Sequence, residues 1–410
     1  MNILLINHYA GSPRDGMEYR AYYLAREWVR LGHSVRIVAS AHSHVRSRQP
    51  DLGGRRRLDE TIDGIHYTWF KTPVYSGNGI GRVRNMAAFV SRLFADGKQL
   101  ARSFRPDVVI ASSTYPMDIW PARRIARLAN AKLVFEVHDL WPLSPMELGG
   151  MSRRHPFIML VQAAEDHAYR HADIVVSMLP KVREYMESRG MAPHKLHIVP
   201  NGVDPAEWLA EGPVLESSIA QTLAGIRREG LSIVGYAGAH GVANALDTFL
   251  DAAKLMRDEK VAFVLVGGGP EKHALQQRAR AEGLDKVWFI EPAKKEQMPA
   301  LLRYFDIAYI GLQRQPLFRF GIAPNKLTDY MMAARPVVLA IEAGNDPVGE
   351  AGCGVTVKPE DPAAAAHGIR ALLALSEEAR RAMGQRGREF VLRNHTYPVL
   401  ARKFLTTCGA

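Results

Sequence analysis

Gly321-Ile322-Ala323-Pro324-Asn325-Lys326-Leu327-Thr328-Asp329-Tyr330-Met331-Met332-Ala333-Ala334-Arg335-Pro336 leads into the apolar run Val337-Val338-Leu339-Ala340-Ile341 and follows the strand-like run Ile307-Ala308-Tyr309-Ile310-Gly311-Leu312. The order reads strand, loop, helix, strand, with Pro324 suited to the first helical turn. A helix start of this kind presents unpaired backbone N–H groups and a positive dipole end, which together attract an anion. Asn325 and Asp329 share a helical face, and Lys326 adds a cation beside the opening turn. One element thus offers phosphate contacts and, a turn deeper, a carboxylate able to accept hydrogen bonds from a sugar diol.

Working outward, the run at 307–312 belongs to a series of β-like segments at 232–237, 262–266, 287–290, 307–312, 336–341 and 354–358, separated by amphipathic stretches. A first series occupies 3–7, 34–39, 66–70, 107–112, 132–137, 173–178 and 195–199, with a clear helix from Tyr19 to Leu31 ended by Gly32. Short apolar runs alternating with helical ones predict βαβ units and buried parallel sheets. The expected architecture is α/β, with two Rossmann-like, doubly wound domains facing a central cleft. We place the first domain at 1–200, a linker region at 201–230 around the turn formers Pro200-Asn201-Gly202-Val203-Asp204-Pro205, and the second domain at 231–385. The segment 386–410 lies in a long last helix, read over 376–405, that has the length to return to the first domain.

The 410 residues exceed one core at about 150 residues per domain. With 47% apolar and 23% charged residues the composition is that of an ordinary globular protein. Two cysteines, Cys353 and Cys408, give no disulfide or zinc framework and favour a reducing, cytoplasmic setting. No metal-ligand pattern and no membrane-spanning run appear, and residues 2–7 read as a strand rather than a leader. The net charge of +11 points to an anionic partner or surface.

At the carboxyl ends of second-domain strands, Tyr236-Ala237-Gly238-Ala239-His240-Gly241 and Val266-Gly267-Gly268-Gly269-Pro270 carry glycines that allow close approach of a ligand or of a neighbouring turn. In the first domain the loop holding Gly16 and Glu18 follows the first strand. His138 and Asp139 end a later one, where an imidazole can donate to a sugar hydroxyl and a carboxylate can orient an acceptor. No Ser/His/Asp or Cys/His nucleophile set stands out. From Arg82 to Arg105, Arg82, Arg84, Arg92, Lys98, Arg102 and Arg105 alternate with Val83, Met86, Phe89, Leu93, Leu100 and Phe104. That helix suits either an anionic membrane surface or a core-facing role with a solvated cationic side. Nucleic acid is not an expected partner, since no recognition module is present.

In combination, the Gly16 loop, Gly32-His33-Ser34-Val35, His138-Asp139-Leu140-Trp141-Pro142, Val199-Pro200-Asn201-Gly202-Val203-Asp204, Tyr236-Ala237-Gly238, Leu246-Asp247-Thr248-Phe249, Val266-Gly267-Gly268-Gly269-Pro270 and the opening stretch resemble a bacterial glycosyltransferase of the large retaining GT4 group, which has the GT-B fold. The nearest branch by resemblance is that of N-acetyl-fucosamine-type transferases of O-antigen and capsule assembly. The family signature is a Glu, seven residues and a second Glu. Asp329 stands at the second position, which binds the nucleotide ribose in the family, and Gly321 at the first. Ala239 replaces the usual Arg, and Asn244 falls near the usual Lys. The resemblance implies donor contacts at Gly238, His240, Gly241, Asn244, Gly268, Arg319, Pro324, Asn325, Lys326 and Asp329, acceptor-side contacts at Gly16 and Glu18, and catalytic roles for His138 and Asp139. It further implies retention at the anomeric carbon, metal independence and no cofactor beyond the nucleotide-sugar substrate. The implied acceptor is lipid-linked or polysaccharide; separately, the helix from Arg82 to Arg105 and the net charge give peripheral attachment to the inner face of the cytoplasmic membrane as an expectation. A nucleotide-sugar 2-epimerase and a non-catalytic nucleotide-sugar-binding protein are the alternatives.

Overall fold

The computed structural model describes residues 1–16, 19–77, 79–209 and 214–409. The chain divides into two compact units, residues 1–201 with 397–410, and residues 202–396.

The first unit is built on β1 (Asn2–Ile6), β2 (Ser34–Ser40), β3 (Arg57–Ile62), β4 (Ile65–Phe70), β5 (Val108–Ala111), β6 (Lys132–Val137), β7 (Ile174–Ser177) and β8 (Leu196–Ile198), in the order β3-β4-β2-β1-β5-β6-β7-β8. All neighbours are parallel except β3 and β4, which form an antiparallel hairpin at one edge. This edge departs from the all-parallel expectation, because Arg57-Leu58-Asp59-Glu60-Thr61-Ile62 has no apolar run to mark a buried strand. Its turn is nonetheless a local signal: Asp63 and Gly64 have φ of 50° and 80°, the pair of positive values a two-residue hairpin turn needs. Strand order changes direction between β1 and β5, which places a crevice beyond their carboxyl ends.

The second unit has β9 (Ser232–Ala237), β10 (Val261–Val266), β11 (Val287–Ile290), β12 (Ile307–Gly311), β13 (Val337–Ala340) and β14 (Gly354–Thr356), in the order β11-β10-β9-β12-β13-β14 and all parallel. Its switch of direction falls between β9 and β12. Both sheets are covered on their two faces by helices, as near-continuous apolar strands require. The two doubly wound sheets are those of the GT-B fold.

Two boundaries differ from the sequence reading. The stretch 201–230 is no bare linker, since the helix Ser217–Arg228 buries Ile219, Leu223 and Ile226 in the second unit's core. The last helix is two, Glu377–Asn394 and Tyr397–Thr407. Pro398 cannot continue a helix interior, and at the break Val203 donates its N–H to the His395 carbonyl at 2.9 Å. The second piece belongs to the first unit. There Trp28 Nε1 donates to the Ala401 carbonyl at 3.1 Å and stacks edge-on against Phe404, while Tyr23 stacks on Tyr397.

Candidate functional site

In the second unit the helix Asn325–Met332 starts at the extended Pro324, which is the residue before the first turn rather than within it, and no side chain caps it. Leu327, Tyr330, Met331 and Met332 face the core and fix the helix on the sheet. Tyr330 anchors it further: its hydroxyl accepts from Ala237 N at 2.8 Å and donates to the Ala237 carbonyl at 3.2 Å, at the last residue of β9. Lys326 lies one turn earlier on the same face, so this anchor carries its side chain over the β9 loop. Its ammonium donates to Tyr236 Oη at 2.8 Å and to Asn244 Oδ1 at 2.6 Å, and lies 4.7 Å from the Tyr236 ring centre. A Cβ at Gly238 would stand 2.7 Å from the Lys326 stem, so glycine makes room for it. Burial pushes the Lys326 ammonium down to about 8. Asn244, expected near the family's cation, instead supplies an acceptor that steadies a cation arriving from another helix.

Asp329 is half-buried and meets no hydrogen-bond donor among the described residues. Burial pushes it up to about 7, against the attraction of Lys295 and with the repulsion of Glu207. Asn325 is exposed at the helix start, and Arg319 is exposed, its guanidinium over the Phe320 ring and donating to the Pro316 carbonyl at 2.6 Å. Gly321 has φ 103° and ψ 173°, a conformation close to glycine-only. The residues after it are held by Asn345, whose side chain accepts from Ile322 N at 2.7 Å and donates to the Ile322 carbonyl at 3.1 Å.

His240, expected among donor contacts, is enclosed, because the two glycine loops pack on each other: His240 N donates to the Gly268 carbonyl at 2.8 Å, and Glu271 N donates to the His240 carbonyl at 3.0 Å. Cβ atoms at Gly267 and Gly269 would stand 1.9 Å from the Gly238 carbonyl oxygen and 2.4 Å from that of His240, so these glycines serve the neighbouring turn. Burial, with Lys272 and Lys326 near, pushes the imidazole down to about 4, and both ring nitrogens lack a partner. Gly241 and Gly268 remain half-buried at the rims of these loops.

In the first unit a polar cluster gathers at the carboxyl ends of β1, β5 and β6. Glu136, inside the apolar run of β6, is buried and receives Arg20 Nε at 3.0 Å, Arg20 Nη2 at 2.9 Å and Ser112 Oγ at 2.6 Å. Burial opposes its ionisation, but Arg20 and His138 hold it well below the usual carboxylate range. His138 Nε2 is 2.9 Å from Ser112 Oγ and 3.3 Å from Glu136 Oε2. Asp139, expected beside His138 in chemistry, spends Oδ1 on Leu140 N at 2.9 Å and Ser144 Oγ at 2.7 Å, an N-terminal turn contact rather than a bond to His138. Asp118 lies nearby, fully buried, with Oδ2 accepting from Ser113 N at 3.0 Å and Oδ1 unpartnered; burial pushes it up to about 7. Arg20, Ser112, Asp118 and Glu136 escaped the sequence reading. For Glu136 the signal was a lone charge in a buried strand, which demands a partner. Gly16 has φ 63°, and a Cβ there would stand 2.2 Å from Ser47 Oγ, which accounts for the glycine locally. Glu18 lies outside the described residues.

Residues 15–202 match the family model of the glycosyl transferase 4-like domain, and residues 232–375 that of glycosyl transferases group 1. The chain is a GT-B glycosyltransferase. It is 24% identical, over 85% of this chain and 86% of the relative, to Escherichia coli K12 WcaI, a protein named for glycosyl transfer in colanic acid biosynthesis. Among solved structures it superposes on sucrose-phosphate synthase from Thermosynechococcus elongatus with a TM-score of 0.73, 16% identity and coverage of 98% and 97% of the two chains. Anabaena Alr3699/HepE in complex with UDP-glucose gives a TM-score of 0.65, 14% identity and 99% coverage of each chain. The two departures from the expected family pattern, Gly321 and Ala239, lie in the same unit as Lys326.

Proposed function

We propose that this glycosyltransferase moves a sugar, an N-acetylhexosamine or a deoxy relative, from a UDP-sugar to a lipid-linked or surface-polysaccharide acceptor with retention at the anomeric carbon. The observation that carries the donor half is Lys326: an ammonium held by Tyr236 and Asn244 beside an uncapped helix start, at the switch point of a parallel sheet. That corner suits a diphosphate, whose charge grows as the glycosidic bond breaks; Lys326 and the helix dipole stabilise it there. Asp329, which meets no donor among the described residues, is available to a ribose diol, and two hydrogen bonds from that diol favour its ionised form. In the first unit Glu136 and Ser112 fix the His138 ring through Nε2, so that Nδ1 is the nitrogen offered to a sugar hydroxyl. UDP-glucose in the HepE structure and the colanic acid name of WcaI support the donor class and the surface-glycan setting.

This reading gives the leaving-group charge to Lys326 and the helix start, with no metal ion, so a chelator is expected to leave turnover unchanged. The deciding experiment incubates the protein with a panel of nucleotide-sugars and membrane lipid extracts. Acceptor-dependent formation of a glycoside with release of UDP is expected. Release of nucleotide with no glycoside formed on any acceptor would overturn the reading.

A further inference from the structure

A second concentration of charge lies at the opposite end of the second unit's strands. Asp306 immediately precedes β12, and Arg335 and Pro336 precede β13, so they stand at the amino ends of strands, whereas the Lys326 corner stands at the carboxyl end of β9. Around them is a cavity of about 500 Å³ lined by Arg227, Arg303, Arg335, Arg380 and Arg381, with Asp306 and Glu377 as its carboxylates. The helix Glu377–Asn394 forms one wall. It can do so because Gly384 lies directly on the turn before β13, where a Cβ would stand 2.0 Å from the Ala334 carbonyl oxygen.

Both carboxylates are already occupied. Asp306 Oδ1 takes Arg227 Nη2 at 3.1 Å and its Oδ2 accepts from Ile233 N at 2.7 Å, while Glu377 pairs with Arg381. Among the described residues, Arg303, Arg335 and Arg380 are left without a carboxylate in contact. Arg380 spends Nη1 on the carbonyls of Leu373 and Leu375, at 2.9 and 2.6 Å. Arg335 spends Nη1 on the Phe305 carbonyl at 3.0 Å and has a buried Nε with no partner. Arg303 is exposed and has no ion pair or side-chain hydrogen bond among the described residues. Burial opposes the charge of Arg335, Asp306 supports it, and Arg227, Arg381 and Arg303 add repulsion. An excess of planar donors around a concave space, with the local carboxylates used up, calls for a ligand that brings more than one negative charge and several acceptor oxygens. A phosphate group meets both needs, and its oxygens match the guanidinium fork.

We propose that this cavity binds a phosphate-bearing anion, a phosphate monoester or diphosphate carried by a soluble compound or by a lipid headgroup, at a site separate from the Lys326 corner. Binding there relieves the repulsion among the arginines and stabilises the folded chain by mass action. The site rests on residues of this unit alone and does not depend on which sugar or acceptor the enzyme uses.

The test titrates the full chain, saturated with UDP, with pyrophosphate by isothermal titration calorimetry. One UDP-insensitive site is expected, weakened roughly tenfold or more in Arg303→Gln and in Arg335→Gln and unchanged in Lys326→Gln. Arg303 is exposed, so its variant keeps the fold even where loss of Arg335 disturbs the Phe305 turn; circular dichroism verifies this. Pyrophosphate binding wholly displaced by UDP, or equal in wild type and Arg303→Gln, would overturn the proposal. Flotation on phosphatidylcholine vesicles carrying phosphatidic acid, or phosphatidylserine at matched charge, separates the sources. Selective loss of phosphatidic acid binding in Arg303→Gln assigns a lipid headgroup. Unchanged flotation alongside a calorimetric loss assigns a soluble phosphate.

Discussion

Lys326 is where residue chemistry and pH dependence meet. Its ammonium is desolvated and sits near a titration point of about 8, while a bound diphosphate favours the protonated form. UDP affinity is therefore expected to be full below about pH 8 and to fall above it. Lys326→Gln should weaken UDP by about ten- to a hundredfold, the range of a charged hydrogen bond, and flatten this profile; calorimetry across pH 6.5 to 9.5 (roughly the window set by that pKa) measures both. Asp118 gives a stability prediction of a different kind. Its folded carboxyl keeps its proton to about 7, against 3.8 unfolded, so the folded state holds the extra proton between those values and stability falls as pH rises through that window. Asp118→Asn keeps an acceptor for Ser113 N and removes the penalty, which is of order a few kcal/mol above neutral pH. Thermal denaturation should show the variant more stable at pH 8 and not at pH 4. Asp118 itself was not legible in the sequence, because nothing in Ser113-Thr114-Tyr115-Pro116-Met117-Asp118 says that the loop folds back on its own backbone. Glu136 was half legible: its place in an apolar strand announced a partner, but Arg20 is remote in the chain and only the fold brings it near.

At the scale of elements, the helix start at 325 was readable from Pro324 and from the apolar spacing of Leu327, Tyr330 and Met331. Where that helix would point was not. Its direction comes from the Tyr330 hydroxyl on Ala237, a contact between segments ninety-odd positions apart. The loop before it is equally specific. With φ 103° at Gly321, the glutamate of the family pattern cannot simply be restored, since a side chain in that region costs on the order of 1–3 kcal/mol. Gly321→Glu is expected to lower the unfolding midpoint in urea without raising kcat; a faster enzyme with an unchanged midpoint would show that the loop accepts the carboxylate. The glycine loops at 238 and 267 show the same limit from the other side. Glycine after a strand fits a ligand or a neighbouring turn, and the backbone hydrogen bonds between the two loops decided for the turn at Gly267 and Gly269. The helix Ile80–Phe104 was readable as amphipathic, yet its role was open until Met86, Phe89, Leu93, Leu100 and Phe104 proved to be buried.

At the scale of the whole molecule, that burial bears on membrane attraction. Met86, Phe89, Leu93, Leu100 and Phe104 of this helix are used in the first unit's core while Ile80, Val83 and Phe94 stay exposed, and among the described residues no helix is long and apolar enough to cross a membrane. The net charge of +11 and the outward basic residues are the features from which attraction to an anionic surface is predicted. Vesicle flotation should detect binding to anionic liposomes that weakens steeply with added salt; equal recovery on neutral vesicles, or no response to salt, would count against it. The sequence by itself determined the alternation of strands and helices, the parallel character of nearly every strand pair, the two series of βα units and the glycosyltransferase resemblance. These follow from local spacing of apolar residues, from prolines and glycines, and from short motifs. Tertiary structure decided the rest: the Lys326 corner with Tyr236 and Asn244, the Arg20–Glu136 pair, the enclosure of His240, the return of 397–410 to the first unit and the arginine cavity. Each of these depends on which distant backbone segments close on one another, and a one-dimensional pattern carries no term for that distance.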